Sequence, residues 1–292
     1  MIRSMLFLPG NNPNMLINGG CLGSDALIFD LEDAVSPNEK DAARILVRNT
    51  MRYMDLRSVQ TIVRINSIDT AYWRSDLDTV LPCKPNLILL PKTGAASDIL
   101  AVDSYMTALE EKLGLESGCV GLMALIETAM GVENAFSIAT ASQRVKALFL
   151  GAEDLTADLQ CKRTKEGREI QYARTRLVVA ARAAGVDVYD TPFTDVNDDE
   201  GIWEDTQLAK ALGFTGKASI SPRHVEVINS VFSPTAEEIE YAYEVLDAIA
   251  LAKAQGKGAI ALRGKMIDAP IVARAQRTIE MAQALGLRRE EA

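Results

Sequence analysis

The chain has 292 residues, of which 48% are hydrophobic and 24% charged, and its formal net charge is −9. Such a composition is typical of a globular protein with a sizeable core, and the length suits one large α/β barrel or two smaller domains. The acidic balance without a basic block argues against nucleic acid as a partner. No stretch approaches the apolar length of a membrane helix, and the first apolar run is too short for a signal peptide, so we expect a cytoplasmic protein without membrane contact.

The cysteines and the histidine narrow the possible chemistry further. Four cysteines are present, none at a C-x-x-C spacing, which indicates free thiols in a reducing compartment. The single histidine, His224, excludes a histidine-rich metal site. It follows Ser-Pro-Arg and is better explained as a residue of a first helical turn than as a catalyst. Acid–base chemistry must therefore fall mainly to carboxylates, lysine, tyrosine or water.

Eight short apolar runs alternate with longer helical patterns along the chain. Runs that are apolar on both faces are typical of parallel strands covered by helices. The strand predictions are 4–8, 26–29, 61–65, 87–90, 120–126, 147–150, 187–189 and 216–220, and clear helical patterns cover 39–51, 97–113 and 167–184. Eight such units predict a closed (β/α)8 TIM barrel.

Two further helical patterns follow the eighth unit. They cover 235–255 and 269–285, with a short run at 259–265 that is either a hairpin or a loop. We therefore predict a catalytic barrel over 1–232 and a C-terminal helical arm over 233–292. Arms of this kind often pack on a neighbouring subunit, so we expect a homo-oligomer.

Polar side chains follow the predicted strands repeatedly, at the end of a barrel where catalysis takes place. Because carboxylates suit a hard cation such as Mg²⁺, Glu127 and Asp154 on neighbouring strand ends are candidate ligands of one ion. Such an ion would chelate a 2-oxo acid and stabilise an enolate or alkoxide. Any single acid at a strand end would also be explained as a helix N-cap or a loop residue. Because such acids recur on one rim of the barrel, a metal site for an anionic substrate is favoured. The other polar or turn-forming residues on this rim are Pro9, Gly10, Glu32, Asp33, Arg64 and Lys92.

An ordered set of motifs carries a family resemblance. The motifs are RSMLFLPGNN at 3–12, DALIFDLEDAV at 25–35, TIVRIN at 61–66, LPKT at 90–93, ALIET at 124–128, GAEDL at 151–155 and GKMIDAPIV at 264–272. Together they resemble the citrate lyase β subunits, in the CitE-like branch of the HpcH/HpaI aldolase and citrate lyase family. The resemblance implies a Mg²⁺-dependent lyase on a phosphoenolpyruvate-binding type of barrel. It would cleave a citryl thioester, carried on an acyl carrier protein or coenzyme A, to oxaloacetate and an acetyl thioester.

The resemblance also implies partners and residue roles. The partners are the α and acyl-carrier (γ) subunits of a citrate lyase complex, and the chain itself would form a trimer or hexamer. Glu127 and Asp154 match the metal ligands, and Asp268 matches a catalytic aspartate that relatives donate from the arm of a neighbouring subunit. The remaining matches are Arg64 on the oxo-acid carboxylate, the catalytic pair Glu32 and Asp33, Arg3 near the thioester, and substrate contacts at Pro9, Gly10, Lys92 and Glu127.

Two departures keep alternatives open. Many relatives have Ile-His-Pro after strand 8, where this chain has Ile220-Ser221-Pro222. More distant aldolases use a strand-2 histidine, where this chain has Glu32-Asp33, which argues against a simple pyruvate aldolase. One alternative is a stand-alone malyl-CoA or citramalyl-CoA lyase, or a malate synthase-like enzyme. Another is a non-catalytic scaffold subunit, which predicts damaged metal ligands, although both ligands are present.

Overall fold

A computed structural model of the protein describes residues 2–254 and 260–287. The chain divides into two compact units, Ile2–Ser230 and a C-terminal unit from Val231 onward. No helix among the described residues is long and apolar enough to cross a membrane.

The first unit is a closed barrel of eight parallel strands, as the sequence predicts. Each strand pairs with the next along the chain, and the eighth pairs with the first. The strands are β1 Ser4–Pro9, β2 Ala26–Asp30, β3 Gln60–Arg64, β4 Leu87–Leu90, β5 Gly121–Ile126, β6 Val145–Leu150, β7 Asp187–Asp190 and β8 Gly216–Ser219. All eight predicted strands are therefore confirmed, with ends that shift by at most two residues.

The barrel strands are connected by helices that cover its outside. These are α1 Pro13–Asn18, α2 Lys40–Tyr53, α3 Trp73–Val80, α4 Ala96–Leu113, α5 Ala129–Glu133, α6 Ala135–Ala139, α7 Ala152–Asp158, α8 Gln171–Ala184, α9 Asp199–Leu212 and α10 Val225–Phe232. The helix predicted from 167 begins later than expected. Gly167 has a left-handed φ of +64°, and a 3-10 turn over Arg168–Ile170 precedes α8.

Strand side chains alternate between the barrel interior and the layer beneath the helices. The interior is apolar, and large side chains such as Met5, Ile28, Leu89, Met123 and Phe149 fill it. The barrel is therefore a packed core, and a ligand can bind only at one of its ends.

A buried ion cluster ties β7 and β8 to the helices outside them. Arg174 on α8 lies 2.8 Å from Asp190 on β7 and 2.7 Å from Asp205 on α9. Lys217 on β8 lies 2.6 Å from each of the same two carboxylates. Its ammonium also donates a 2.6 Å hydrogen bond to the carbonyl of Thr191. Two cations and two carboxylates balance, so the cluster can be buried without a net charge.

The C-terminal unit has a small core of its own. It contains α11 Ala236–Ala254, an antiparallel hairpin of β9 Ile260–Leu262 and β10 Lys265–Ile267, and α12 Ala269–Ala284. Val245, Ile267 and Ile279 are buried together within it. For the segment 259–265 the sequence predicted either a hairpin or a loop, and a hairpin is observed. Gln255, where the first helix was predicted to end, and Ala259 lie outside the described residues, and packing of the arm on a second subunit stays a prediction.

Breaking the buried ion cluster should destabilise the barrel strongly. Arg174→Met leaves Asp190 and Asp205 with Lys217 as their one partner in the cluster, so we expect the free energy of unfolding to fall by about 3–5 kcal/mol. Chemical denaturation measures this. Arg176→Met is the matched control, because Arg176 lies on the same helix, is partly exposed and loses one hydrogen bond to the carbonyl of Glu133. A similar loss for both variants would contradict the role of the cluster.

Candidate active site

A cavity of about 320 Å³ opens at the carboxyl ends of the barrel strands. Among the predicted residues, Pro9, Asp33, Arg64, Glu127 and Asp154 line it. Lys92 lines a second opening, together with Asp33, Glu127 and Asp154. The structure thus brings most of the predicted rim residues together. An apolar wall that sequence reasoning missed completes the cavity, and its members include Phe7, Met15, Leu125, Phe149 and Ile220.

Arg64 is held in place by Asp30, a carboxylate to which the sequence analysis assigns no role. Its Nε and Nη2 atoms donate to the two carboxylate oxygens of Asp30 at 2.7 and 2.6 Å. The third nitrogen, Nη1, lies 3.1 Å from Glu32 Oε2. Burial alone would lower the pKa of Arg64, but the hydrogen bonds and charge of Asp30 raise it above its ordinary value. Arg64 therefore stays charged and points in one direction.

Asp30 is positioned by the register of the barrel. It is the last residue of β2 and lies directly opposite Arg64, the last residue of β3. Its side chain also accepts hydrogen bonds from the backbone N–H groups of Glu32 at 2.9 Å and Ala34 at 3.1 Å. One carboxylate thus orients the arginine and orders the loop after β2. The sequence did contain a signal for this pairing, because Asp30 and Arg64 each stand at the end of a predicted strand and these two strands are neighbours.

Glu32 lies between the two cations of the site. Its carboxylate is buried, 3.1 Å from Arg64 Nη1 and 3.1 Å from Lys92 Nζ. Burial raises the pKa of Glu32, against the charge of Arg64, which lowers it. Asp33 is more exposed and lies 3.8 Å from Lys92 Nζ. The predicted acidic pair therefore faces the site from the same side as Lys92.

Glu127 is the most electrostatically strained carboxylate of the site. It follows β5 and is almost fully buried. Burial, followed by the charges of Glu32 and Asp154, raises its pKa to about 8. Its Oε1 accepts a 2.7 Å hydrogen bond from the backbone N–H of Lys92, a residue with a left-handed φ of +52°. A bound cation would relieve this repulsion between carboxylates.

Two backbone features make room for Glu127 and Asp154. A Cβ on Gly151 would lie 2.7 Å from Glu127 Oε2, so a glycine is required beside this carboxylate. Asp154 lies in the first turn of α7, whose N-terminal Ala152 donates its N–H to Thr191 Oγ1 at 3.1 Å. Because Lys217 holds the carbonyl of Thr191, the buried ion cluster helps to set the position of α7.

The donor set fits a hard divalent cation. Glu127 and Asp154 offer carboxylate oxygens beside one cavity, and burial together with the charges of Glu32 and Asp154 raises the pKa of Glu127. Within residues 2–254 and 260–287, no group of three or more acidic, histidine or cysteine side chains is arranged to hold a metal. A cation here would therefore take two protein carboxylates and complete its shell with substrate and water, as Mg²⁺ commonly does.

Arg3 lies at the wrong end of the barrel for its predicted substrate contact. It precedes β1, and its guanidinium pairs with Asp25 through hydrogen bonds of 2.8 and 2.7 Å. The cavity lies beyond the other end of this strand, which at about 3.3 Å per residue is about 20 Å long. The prediction is corrected accordingly: the sequence proximity of Arg3 to the motif after β1 does not translate into proximity in space.

Three other residues have structural explanations. Gly10 donates its N–H to the carbonyl of Asp30 at 2.8 Å, and a Cβ would lie 2.6 Å from that oxygen, so close backbone approach requires the glycine. Asp268 belongs to the C-terminal unit, where it is exposed and caps α12 by accepting from the N–H of Ile271 at 3.2 Å. His224 is fully buried in a 3-10 turn and does not line the cavity.

The chain matches the family model described as HpcH/HpaI aldolase/citrate lyase over residues 3–222. It therefore belongs to this family of barrel aldolases and lyases, and it is a lyase. The resemblance inferred from the motifs is confirmed by a citrate lyase subunit beta from Leuconostoc mesenteroides subsp. cremoris, which is 44% identical over 97% of this chain and 93% of the relative.

Two further relatives bear on the choice of substrate. A (3S)-malyl-CoA thioesterase from Cereibacter sphaeroides is 34% identical over 97% of this chain and 95% of the relative. The crystal structure of CitE from Mycobacterium tuberculosis, in complex with magnesium, acetoacetate and coenzyme A, is 30% identical with a TM-score of 0.79. That alignment covers 96% of this chain and 98% of the other. The citrate lyase subunit beta and the CitE structure together show that the chain is a lyase of the citrate lyase type.

Proposed function

We propose that the chain is the β subunit of a citrate lyase and cleaves a citryl thioester to oxaloacetate and an acetyl thioester with Mg²⁺. The observation that carries the proposal is the placement of Arg64, Glu127 and Asp154 around one cavity. This combination offers two carboxylates for a hard cation and a guanidinium for an organic acid. The identity of 44% to a citrate lyase subunit beta supports it.

Glu127 and Asp154 are the proposed metal ligands. When bound, Mg²⁺ supplies a Lewis acid beside the oxygens of a 2-oxo acid. The N–H of Lys92 fixes one oxygen of Glu127, and Gly151 leaves space beside the other. The burial of Glu127 excludes water that would weaken the interaction of charges in the cavity.

Arg64 is proposed to bind the carboxylate on the central carbon of the citryl group. Asp30 holds its orientation, and Nη1 lies beside Glu32. In the reaction, a base removes the proton of the central hydroxyl, and the electron pair left on that oxygen forms the carbonyl of oxaloacetate. The bond to the methylene beside the thioester breaks, and its electron pair forms the thioester enolate. Protonation of the enolate carbon gives the acetyl thioester.

Asp268 is the proposed proton-transfer residue, donated by the arm of a neighbouring subunit. The proposal includes the assembly that this requires, a trimer or hexamer in which the arm over 233–292 packs on a second barrel. Asp268 is exposed and its carboxylate accepts a local hydrogen bond from the N–H of Ile271, so the carboxylate is accessible to a partner. Glu32 and Asp33 are proposed as the carboxylates that face the reacting atoms within the chain.

The thioester carrier follows from the proposed complex. An acyl carrier protein on a γ subunit would present the citryl group, an α subunit would complete the complex, and a coenzyme A thioester would serve as a substitute. The M. tuberculosis structure holds coenzyme A, which supports a site open to a thioester of that kind. The apolar wall of Phe7, Met15 and Ile220 offers a surface for the uncharged part of the thioester.

The second candidate is a stand-alone lyase for malyl-CoA or citramalyl-CoA. The observation that favours it is the 34% identity to a (3S)-malyl-CoA thioesterase over most of the chain. Such an enzyme would use the same metal ligands. A non-catalytic scaffold is disfavoured because both proposed ligands and Arg64 are present and line one cavity.

The decisive experiment is a substrate panel of citryl-CoA, malyl-CoA and citramalyl-CoA, each with Mg²⁺ and with EDTA. We expect Mg²⁺-dependent release of oxaloacetate from citryl-CoA as the fastest reaction. Preferred cleavage of malyl- or citramalyl-CoA would move the function to the second candidate. If no thioester is cleaved, the panel is repeated with α and carrier subunits added. Inactivity in their presence would favour the non-catalytic scaffold.

Replacing either proposed ligand should remove the metal site. Glu127→Gln and Asp154→Asn each delete one charge that faces the cation, so Mg²⁺ affinity measured by calorimetry should fall at least tenfold, with loss of cleavage. Glu133→Gln is the matched control, because Glu133 is an exposed acid on α5, six positions beyond Glu127. An unchanged Mg²⁺ affinity would remove the substituted residue from the ligand set.

Replacing Asp268 should lower turnover without affecting the metal. Loss of a group that transfers a proton in the transition state costs about 10²–10⁴-fold in kcat, so Asp268→Asn should fall in this range while Mg²⁺ affinity stays constant. Mixing it with a Glu127→Gln protein should restore part of the activity, because mixed oligomers contain some complete sites. Near wild-type turnover of Asp268→Asn would exclude the assignment, and the same assay on Glu32→Gln and Asp33→Asn tests the acidic pair.

A further inference from the structure

We propose that Lys92 determines the choice of oxo acid by binding its second carboxylate, the one distant from the carbonyl group. The inference rests on the proposed function and specifies how the same site would distinguish its substrates. Oxaloacetate, the product of citryl cleavage, has two carboxylates. Glyoxylate and pyruvate, the products of malyl and citramalyl cleavage, have only one. An enzyme that selects the citryl thioester over the malyl and citramalyl thioesters must therefore bind one additional carboxylate.

The walls of the site make this additional charge costly. The cavity and the opening beside it are lined by seven acidic residues, Asp30, Asp33, Asp69, Glu127, Glu153, Asp154 and Asp158. A carboxylate entering among them without a cation of its own would be repelled and desolvated. Among the described residues that line the two openings, the cationic ones are Arg64 and Lys92.

Arg64 has little capacity for a second carboxylate. Two of its three nitrogens are engaged by Asp30 at 2.7 and 2.6 Å, and only 12% of its side chain is exposed. Nη1 remains, and it faces one region of the cavity beside Glu32. A fixed guanidinium with one directed edge can bind the carboxylate next to the carbonyl group, as proposed above, but not a second one at a distance from it.

Lys92 has the exposure and freedom that Arg64 lacks. Its side chain is 41% exposed, and its ammonium lies at 3.1 Å from Glu32 and 3.8 Å from Asp33. A lysine ammonium on a flexible stem can exchange such contacts for a substrate carboxylate. The backbone N–H of the same residue is fixed to Glu127, so the base of the lysine side chain is anchored to a proposed metal ligand. The distal carboxylate of a bound oxaloacetate would thus meet this cation at the rim.

A purely structural role for Lys92 makes a different prediction. If Lys92 served only to neutralise Glu32 and Asp33, its loss would affect every oxo acid equally. If it binds the distal carboxylate, its loss would affect oxaloacetate alone. The comparison of two ligands that differ by one carboxylate therefore separates the two roles.

The test uses calorimetric binding of oxaloacetate and of pyruvate to the full chain with Mg²⁺, with fresh oxaloacetate at low temperature. For Lys92→Met we expect the affinity for oxaloacetate to fall about tenfold to a hundredfold, and that for pyruvate less than twofold. Lys92→Arg should recover part of the loss. With thioester substrates, the ratio of kcat/KM for citryl-CoA to that for citramalyl-CoA should fall by at least tenfold in Lys92→Met.

Lys84 provides a matched control. It is an exposed lysine with a left-handed φ of +53°, and it precedes β4, whereas Lys92 follows it. Lys84→Met therefore makes the same chemical change in the same backbone conformation at the other end of one strand. It should leave the binding of both oxo acids unchanged.

Each other outcome has a definite meaning. An equal loss for oxaloacetate and pyruvate in Lys92→Met would overturn the inference in favour of a structural role. No loss for either acid would also overturn it, and would assign the distal carboxylate to another group, for example on a neighbouring subunit. A wild-type protein that binds neither oxo acid with Mg²⁺ would contradict the proposed function itself.

Discussion

The pairing of Arg64 with Asp30 is the interaction on which the arrangement of the site depends. Barrel register sets the two residues opposite each other at the ends of β2 and β3. The pairing occupies two of the three guanidinium nitrogens, and the third lies 3.1 Å from Glu32, so the guanidinium keeps one orientation. Burial, followed by the charges of Glu32 and Asp154, raises the pKa of Glu127 against the opposing charge of Arg64. The proposed metal would offset this repulsion between carboxylates.

The buried ion cluster of Arg174, Asp190, Asp205 and Lys217 also supports the site. Lys217 pairs with two buried carboxylates and donates to the carbonyl of Thr191, and the hydroxyl of Thr191 accepts from the first N–H of α7. The helix that carries Asp154 is thereby connected to the most deeply buried charges of the barrel. Positions of ligands on the rim are often limited by such supporting contacts. The stability of the fold and the geometry of the site are therefore coupled through one strand end.

The sequence alone predicted the barrel and the rim residues Arg64, Glu127 and Asp154, because apolar runs mark parallel strands and function follows strand ends. It gave Asp30 no role, since the pairing with Arg64 depends on the register between two strands, which hydrophobic pattern alone does not fix. It misplaced Arg3, because a residue before a strand and a motif after it are close in sequence but lie at opposite ends of the barrel. Lys92 has a left-handed backbone conformation, in which its N–H donates to Glu127. Lysine has no preference for this conformation, so the sequence could not predict it.

The proposed roles separate the chemistry of the site from its selectivity. Metal ligands and Arg64 would act on the part of the substrate that all 2-oxo acids share, the carbonyl group and its neighbouring carboxylate. The charge of one rim residue would then decide whether a further carboxylate is accepted. A change at the rim alters binding of one substrate over another without disturbing Glu127, whose hydrogen bond comes from the backbone of Lys92 and not from its side chain. Selectivity could therefore change by substitution at this position while the metal site and its supporting contacts stay intact.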